Sequence, residues 1–83
     1  MGLNIKAFAL ASGILWGLLM LAVGIANITW PEYGGSFLRV MASIYPGYIH
    51  DGSLYQVMIG SAYAAVDALI GGSIFAWIYN WFA

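Results

Sequence analysis

LYQVMIGSAYAAVDALIGGSIFAWIYNWF, Leu54 to Phe82, is an apolar run broken by a single formal charge, Asp67. Neither side of that carboxylate is long enough to cross a bilayer alone, but the whole exceeds the ~20 residues needed to span a ~30 Å hydrocarbon core. Trp77, Tyr79, Trp81 and Phe82 cluster at one end, and Tyr48 and Tyr55 mark the other, as an interfacial aromatic belt would. The run therefore reads as a membrane helix with an acid near mid-depth. Working back along the chain, Ala7 to Ile28 carries no formal charge and is long enough for a second crossing. Gly24 and Ala26, with Lys6 as a thin basic start, have the look of a signal-peptide cleavage region. The apolar stretch outruns such a segment, so retention is expected.

Composition agrees with this reading. Of 83 residues, 64% are hydrophobic and 6% charged, against roughly 25% charged in ordinary soluble domains. Five charges cannot clothe a water-exposed surface, so lipid is the expected solvent. The length allows one membrane domain, 1–83. A net charge of -1 with two basic residues leaves no footprint for nucleic acid. Without cysteine there are no disulfides and no thiolate chemistry. No His, Asp or Glu cluster has metal spacing, no nucleophile sits in a recognisable motif, and no glycine loop suits phosphate. No enzymatic activity, cofactor or metal is expected, and His50-Asp51 reads as a solvated loop pair.

The fold class that follows is an all-α membrane protein: a hairpin of two transmembrane helices, 7–28 and 54–82, joined by a bridge over 29–53. Trp30-Pro31 ends the first helix, because proline cannot continue the hydrogen-bond ladder. After the flexible Gly34-Gly35-Ser36, the spacing of Phe37, Val40, Met41 and Ile44 predicts a short amphipathic helix over 37–45, stopped by Pro46-Gly47. Nine residues are too few to cross, so this helix is expected in the headgroup plane or capping the hairpin. Both termini fall on one side. Lys6 faces Arg39 across the membrane, one basic residue each, and the cytoplasm is the expected side for the termini.

Small residues recur with helical spacing on both spans. Ala9, Gly13, Gly17 and Gly24 fall on one arc of the first, and Gly60, Ala64, Ala68, Gly72 and Ala76 on one ridge of the second, widened by Gly71. Such ridges let helices approach closely in lipid, where packing replaces the hydrophobic effect as glue. They serve either the hairpin itself or contacts with another copy. A charged aspartate at mid-helix costs about 2.5 to 3.5 kcal/mol on insertion scales, so Asp67 needs a partner, a proton or water. Antiparallel register sets it level with Trp16, whose indole N–H needs an acceptor when buried. The expectation is a buried Trp16–Asp67 hydrogen bond, with Tyr63 and Ser12 as secondary donors.

Asn4-Ile5-Lys6-Ala7-Phe8-Ala9-Leu10, Gly13-Ile14-Leu15-Trp16-Gly17, Tyr45-Pro46-Gly47-Tyr48, Asp67-Ala68-Leu69-Ile70-Gly71-Gly72 and Phe75-Ala76-Trp77-Ile78-Tyr79-Asn80 resemble the small bacterial membrane proteins labelled phage holin-like. Where that family has glycine after the aspartate, this chain has Ala68. The resemblance implies copies that gather in the bacterial cytoplasmic (inner) membrane, associate as a homo-oligomer and permeabilise it. Two other readings stay open. One is an accessory subunit whose ridges pack against a larger membrane complex. The other resembles the proton-translocating ATP synthase subunit c, although the long apolar bridge here departs from that family's tight Arg-Gln-Pro loop.

Overall fold

The computed structural model describes residues 2–83. Its helices are α1 (Ile5–Thr29), α2 (Gly35–Ile44) and α3 (Leu54–Phe82). Each boundary has a chemical cause. The Asn4 side chain accepts the Ala7 amide at 3.0 Å and starts α1. At the other end of α1, Trp30 adopts an extended conformation just before Pro31. Gly34, at φ +69°, turns the chain into α2 through a left-handed conformation that suits glycine. The ladder of α2 fails at Pro46, which has no N–H to offer the Ala42 carbonyl, and Gly47, at φ +83°, reverses the chain.

At the start of α3 the Ser53 hydroxyl accepts the Gln56 amide at 3.2 Å, and the Gln56 side chain accepts the Ile49 amide at 2.8 Å. Removing this cap in Ser53→Ala is expected to cost about 1 kcal/mol. Faster amide exchange at Tyr55 to Val57 would register the loss. Hydrogen bonds from Ser53 also hold the Asp51 carboxyl below its ordinary value of 3.8. A lowered value means the contribution is present at neutral pH and disappears only as the pH falls below that ordinary value.

α1 and α3 pack antiparallel along their whole length. Leu3 faces Asn80, Phe8 stacks on Phe75 with centroids 5.3 Å apart, Gly13 lies against Ala65 and Leu69, and Gly24 against Val57. The Asn80 amide ties the open end by accepting the Leu3 N–H at 2.6 Å and donating to the Leu3 carbonyl at 2.8 Å. Both helices are long and apolar enough to cross a membrane. Their most apolar windows are only 28% and 22% buried, whereas the core helix of a soluble protein would be mostly covered. The outward faces, Leu10, Ile14, Leu15 and Leu18 on α1 and Met58, Val66, Ile70 and Ile74 on α3, are exposed hydrocarbon.

α2 departs from the sequence expectation. It does not lie across the end of the hairpin but runs back along its flank. Gly34 sits beside Val23, Phe37 meets Trp16 edge to face at 5.9 Å, and Leu38 is buried with Met20 and Ala64. Tyr45 then reaches Asp67, at the middle of α3. The chain turns at Pro46-Gly47 and climbs again, with Gly47 near the Tyr63 hydroxyl, Tyr48 over Gly60, and His50 bonded to Asn27. The molecule measures 45 × 20 × 19 Å, and α3 alone, with 29 residues at ~1.5 Å each, accounts for nearly all the length. α2 thus widens the bundle without lengthening it. The reason is steric and apolar: Met20, Leu38, Tyr45, Tyr48 and Ala64 share one buried cluster that a helix lying across the end could not form.

Asn27, 5% exposed, fastens the closed end. Its Nδ2 donates to the Pro31 and Tyr33 carbonyls at 3.0 and 2.7 Å, which leaves Oδ1 to accept from His50 Nε2 at 2.8 Å. One side chain joins the end of α1, the turn after it and the returning strand of chain. Asn27→Leu leaves two carbonyls and the imidazole without their partner. We expect a loss of about 1–3 kcal/mol, read as a lowered unfolding midpoint in mixed micelles.

Candidate functional site

The face of α3 that carries Gly60, Ala64, Asp67 and Gly71 repeats at i, i+4, i+7 and i+11, so these residues form one stripe. α2 and the returning chain cover only its first half. Tyr48 lies on Gly60, and Leu38 packs into the cluster that contains Ala64. Asp67 and Gly71 come after the tip of α2 and remain exposed. The uncovered half forms an open groove of about 460 Å³. Ser12, Trp16, Tyr45, Asp67 and Gly71 line it, flanked by Phe8 and Phe75, with Met41 and Ile44 of α2 closing one end.

Its polar groups are connected. Trp16 Nε1 donates to the Tyr45 hydroxyl at 3.3 Å, and that hydroxyl donates to Asp67 Oδ2 at 2.9 Å. The Tyr45 ring stacks on Tyr63 with centroids 5.6 Å apart and planes 11° from parallel. The expected direct bond between Trp16 and Asp67 is therefore replaced by a relay through Tyr45. Antiparallel register does bring both to one level. However, the tight Gly13 and Gly17 contacts with Ala65 close the seam between α1 and α3 and push both side chains to the flank, where the tip of α2 docks. Asp67 is exposed, not buried, because α2 stops one turn short of covering it. Tyr63 supports the relay by stacking instead of donating to Asp67. Ser12 packs against Gly72 with its hydroxyl at the groove.

Ala9, Gly13, Gly17, Gly24, Gly60, Ala64, Gly72 and Ala76 are buried inside the chain, so these small residues serve the hairpin and its α2 cover. At Gly13 the obstacle is backbone and not a side chain, since a Cβ there would meet the Ala65 carbonyl oxygen at 2.8 Å. Two positions differ. Ala68 is half-buried at the groove wall, and Gly71 has open space where a side chain would go, so it takes no part in the helix seam.

Sequence reasoning overlooked Tyr45 as the centre of the relay and Asn27 as the clasp. A lone amide late in an apolar run was a signal for Asn27; Tyr45 looked like the end of an amphipathic helix. Among the described residues, no group of three His, Cys, Asp or Glu gathers to hold a metal ion. What the groove offers chemically is one carboxylate with a free Oδ1, a phenol, a primary hydroxyl and the carbonyl end of α2, all in an apolar frame. Comparison with family models, with curated proteins and with solved structures finds no match to this chain.

Proposed function

We propose that this is a self-associating protein of the bacterial cytoplasmic membrane, in which copies meet over the Asp67 groove and, as holin-like proteins do, permeabilise the membrane once assembled. One observation carries the reading: an exposed carboxylate and an exposed stretch of non-helical backbone, Pro46-Gly47, lie together at the middle of an otherwise apolar hairpin. In hydrocarbon, irregular backbone is tolerated only where protein buries it or water fills the space beside it. A mid-depth carboxylate is subject to the same demand. A second copy laid over the groove meets both needs, and an assembly of several copies brings the carboxylates around shared water.

The small-residue seams are already engaged within the chain, which favours the groove over those seams as the contact between copies. Expression of the chain alone in a bacterium, with membrane potential and crosslinked species recorded together, tests this. The expected result is a ladder of self-oligomers followed by abrupt depolarisation, with both altered in Asp67→Asn. A single stoichiometric foreign partner with no leakage would instead select the accessory-subunit reading.

A further inference from the structure

We propose that the groove beneath the tip of α2 is a binding site for a small monovalent cation, with Asp67 as its charged ligand. This goes beyond self-association and rests on the chemistry of the groove in one chain.

The site is built from oxygen. Asp67 lines the groove and uses Oδ2 to accept from Tyr45, and among the described residues Oδ1 has no hydrogen-bond partner. The Tyr45 oxygen, which accepts from Trp16 and donates to Asp67, keeps a second lone pair. Ser12, on α1, also lines the groove and brings a hydroxyl. Ser61 and Ser73 donate to the Val57 and Leu69 carbonyls one turn back, whereas Ser12 makes no such bond.

The fourth contribution is the end of α2 itself. Met41, Ile44 and Tyr45 line the groove, so the helix terminates there. A helix C-terminus carries a partial negative charge from carbonyls without amide partners. Here the Met41 carbonyl is satisfied by the Tyr45 amide, but the next carbonyl, of Ala42, would look to Pro46, which has no N–H. The C-terminal end of a short helix and a carboxylate thus lie beside one groove at the middle of the hairpin. Half-helix C-terminal ends with nearby oxygens are a known way for membrane proteins to hold monovalent cations.

Charge decides the ligand class. Among the described residues no Lys, Arg or His lines the groove, and Arg39 folds back to donate to Ser36 Oγ at 3.3 Å, toward the start of α2. The carboxylate therefore has no internal counter-ion there. A single carboxylate among neutral oxygens suits a monovalent ion, whereas divalent ions of the hard class usually recruit more charge. The groove is open, so the ion keeps part of its water.

The test uses the full chain in detergent and in liposomes. Binding of radioactive sodium at fixed pH is measured beside carbodiimide labelling of Asp67. We expect saturable binding of up to one ion per chain, and carbodiimide labelling slowed by sodium. Asp67→Asn is expected to abolish binding, Tyr45→Phe to weaken it several-fold while keeping the stack on Tyr63, and Ser12→Ala to weaken it less. Asp51→Asn, outside the groove, should bind as wild type does. Absence of saturable binding, or binding unchanged in Asp67→Asn, overturns the proposal. Labelling that responds to pH but not to sodium also overturns it, in favour of a proton alone. Crosslinking run on the same samples separates this outcome from failure of the self-association reading: oligomers without sodium binding sink only the cation site.

Discussion

Gly13→Ala is expected to loosen the hairpin by about 1–3 kcal/mol, the range for forcing extra volume into a packed seam. The added Cβ would stand 2.8 Å from the Ala65 carbonyl oxygen, and backbone cannot swing aside as a side chain does. In lipid, close packing and interhelical contacts are the main glue between helices, so parting α1 from α3 here removes what holds them. Gly71→Ala is the matched control. Nothing lies within 4 Å of a Cβ at that position, and alanine favours helix over glycine by about 1 kcal/mol. Unfolding in mixed micelles, followed by helicity, should show a lower midpoint for Gly13→Ala and an unchanged or higher one for Gly71→Ala. Equal effects at both positions would contradict the seam described above.

Leu38→Ala is expected to release α2 from the hairpin flank. Leu38 is 1% exposed, a large side chain fully enclosed among the described residues. Truncating a buried leucine costs about 2–5 kcal/mol in general. The transfer part of that cost shrinks when lipid is the alternative environment, which puts this case at about 2 kcal/mol. The remainder is the void left among Met20, Tyr45, Tyr48 and Ala64. Loss of amide protection throughout α2, with α1 and α3 still protected, is the expected signature. Unchanged protection of α2 would mean that the Trp16–Tyr45–Asp67 relay and the Asn27 clasp hold it unaided.

The two long helices were legible in the sequence because hydropathy, aromatic ends and Pro31 are local signals. The level of Trp16 with Asp67 was legible too, since antiparallel register follows from helix rise alone. The path of α2 was not. Phe37, Val40, Met41 and Ile44 have the spacing of an amphipathic helix, which reads equally as one lying on a membrane or one packed along a hairpin. The choice depends on Leu38, which the pattern left aside, meeting Met20 and Ala64 from distant parts of the chain. The same missing link hid Tyr45, whose role exists only once α2 turns inward. Small residues marked close packing correctly for Gly13, Gly17 and Gly24, yet spacing alone could not separate Gly71, which lies past the tip of α2 and faces open space.

Depth of the α2 tip in a bilayer decides whether α2 runs back along the hairpin. The chain has no cysteine, so single spin labels at Ile44→Cys, Val66→Cys and Leu54→Cys report cleanly, all three positions being exposed. Accessibility to oxygen against a water-soluble nickel chelate then ranks their depth. With α2 packed along the flank, Ile44 matches Val66 at the bilayer middle and Leu54 is shallow. Ile44 ranking with Leu54 at the headgroups would place α2 on the membrane surface and contradict that packing.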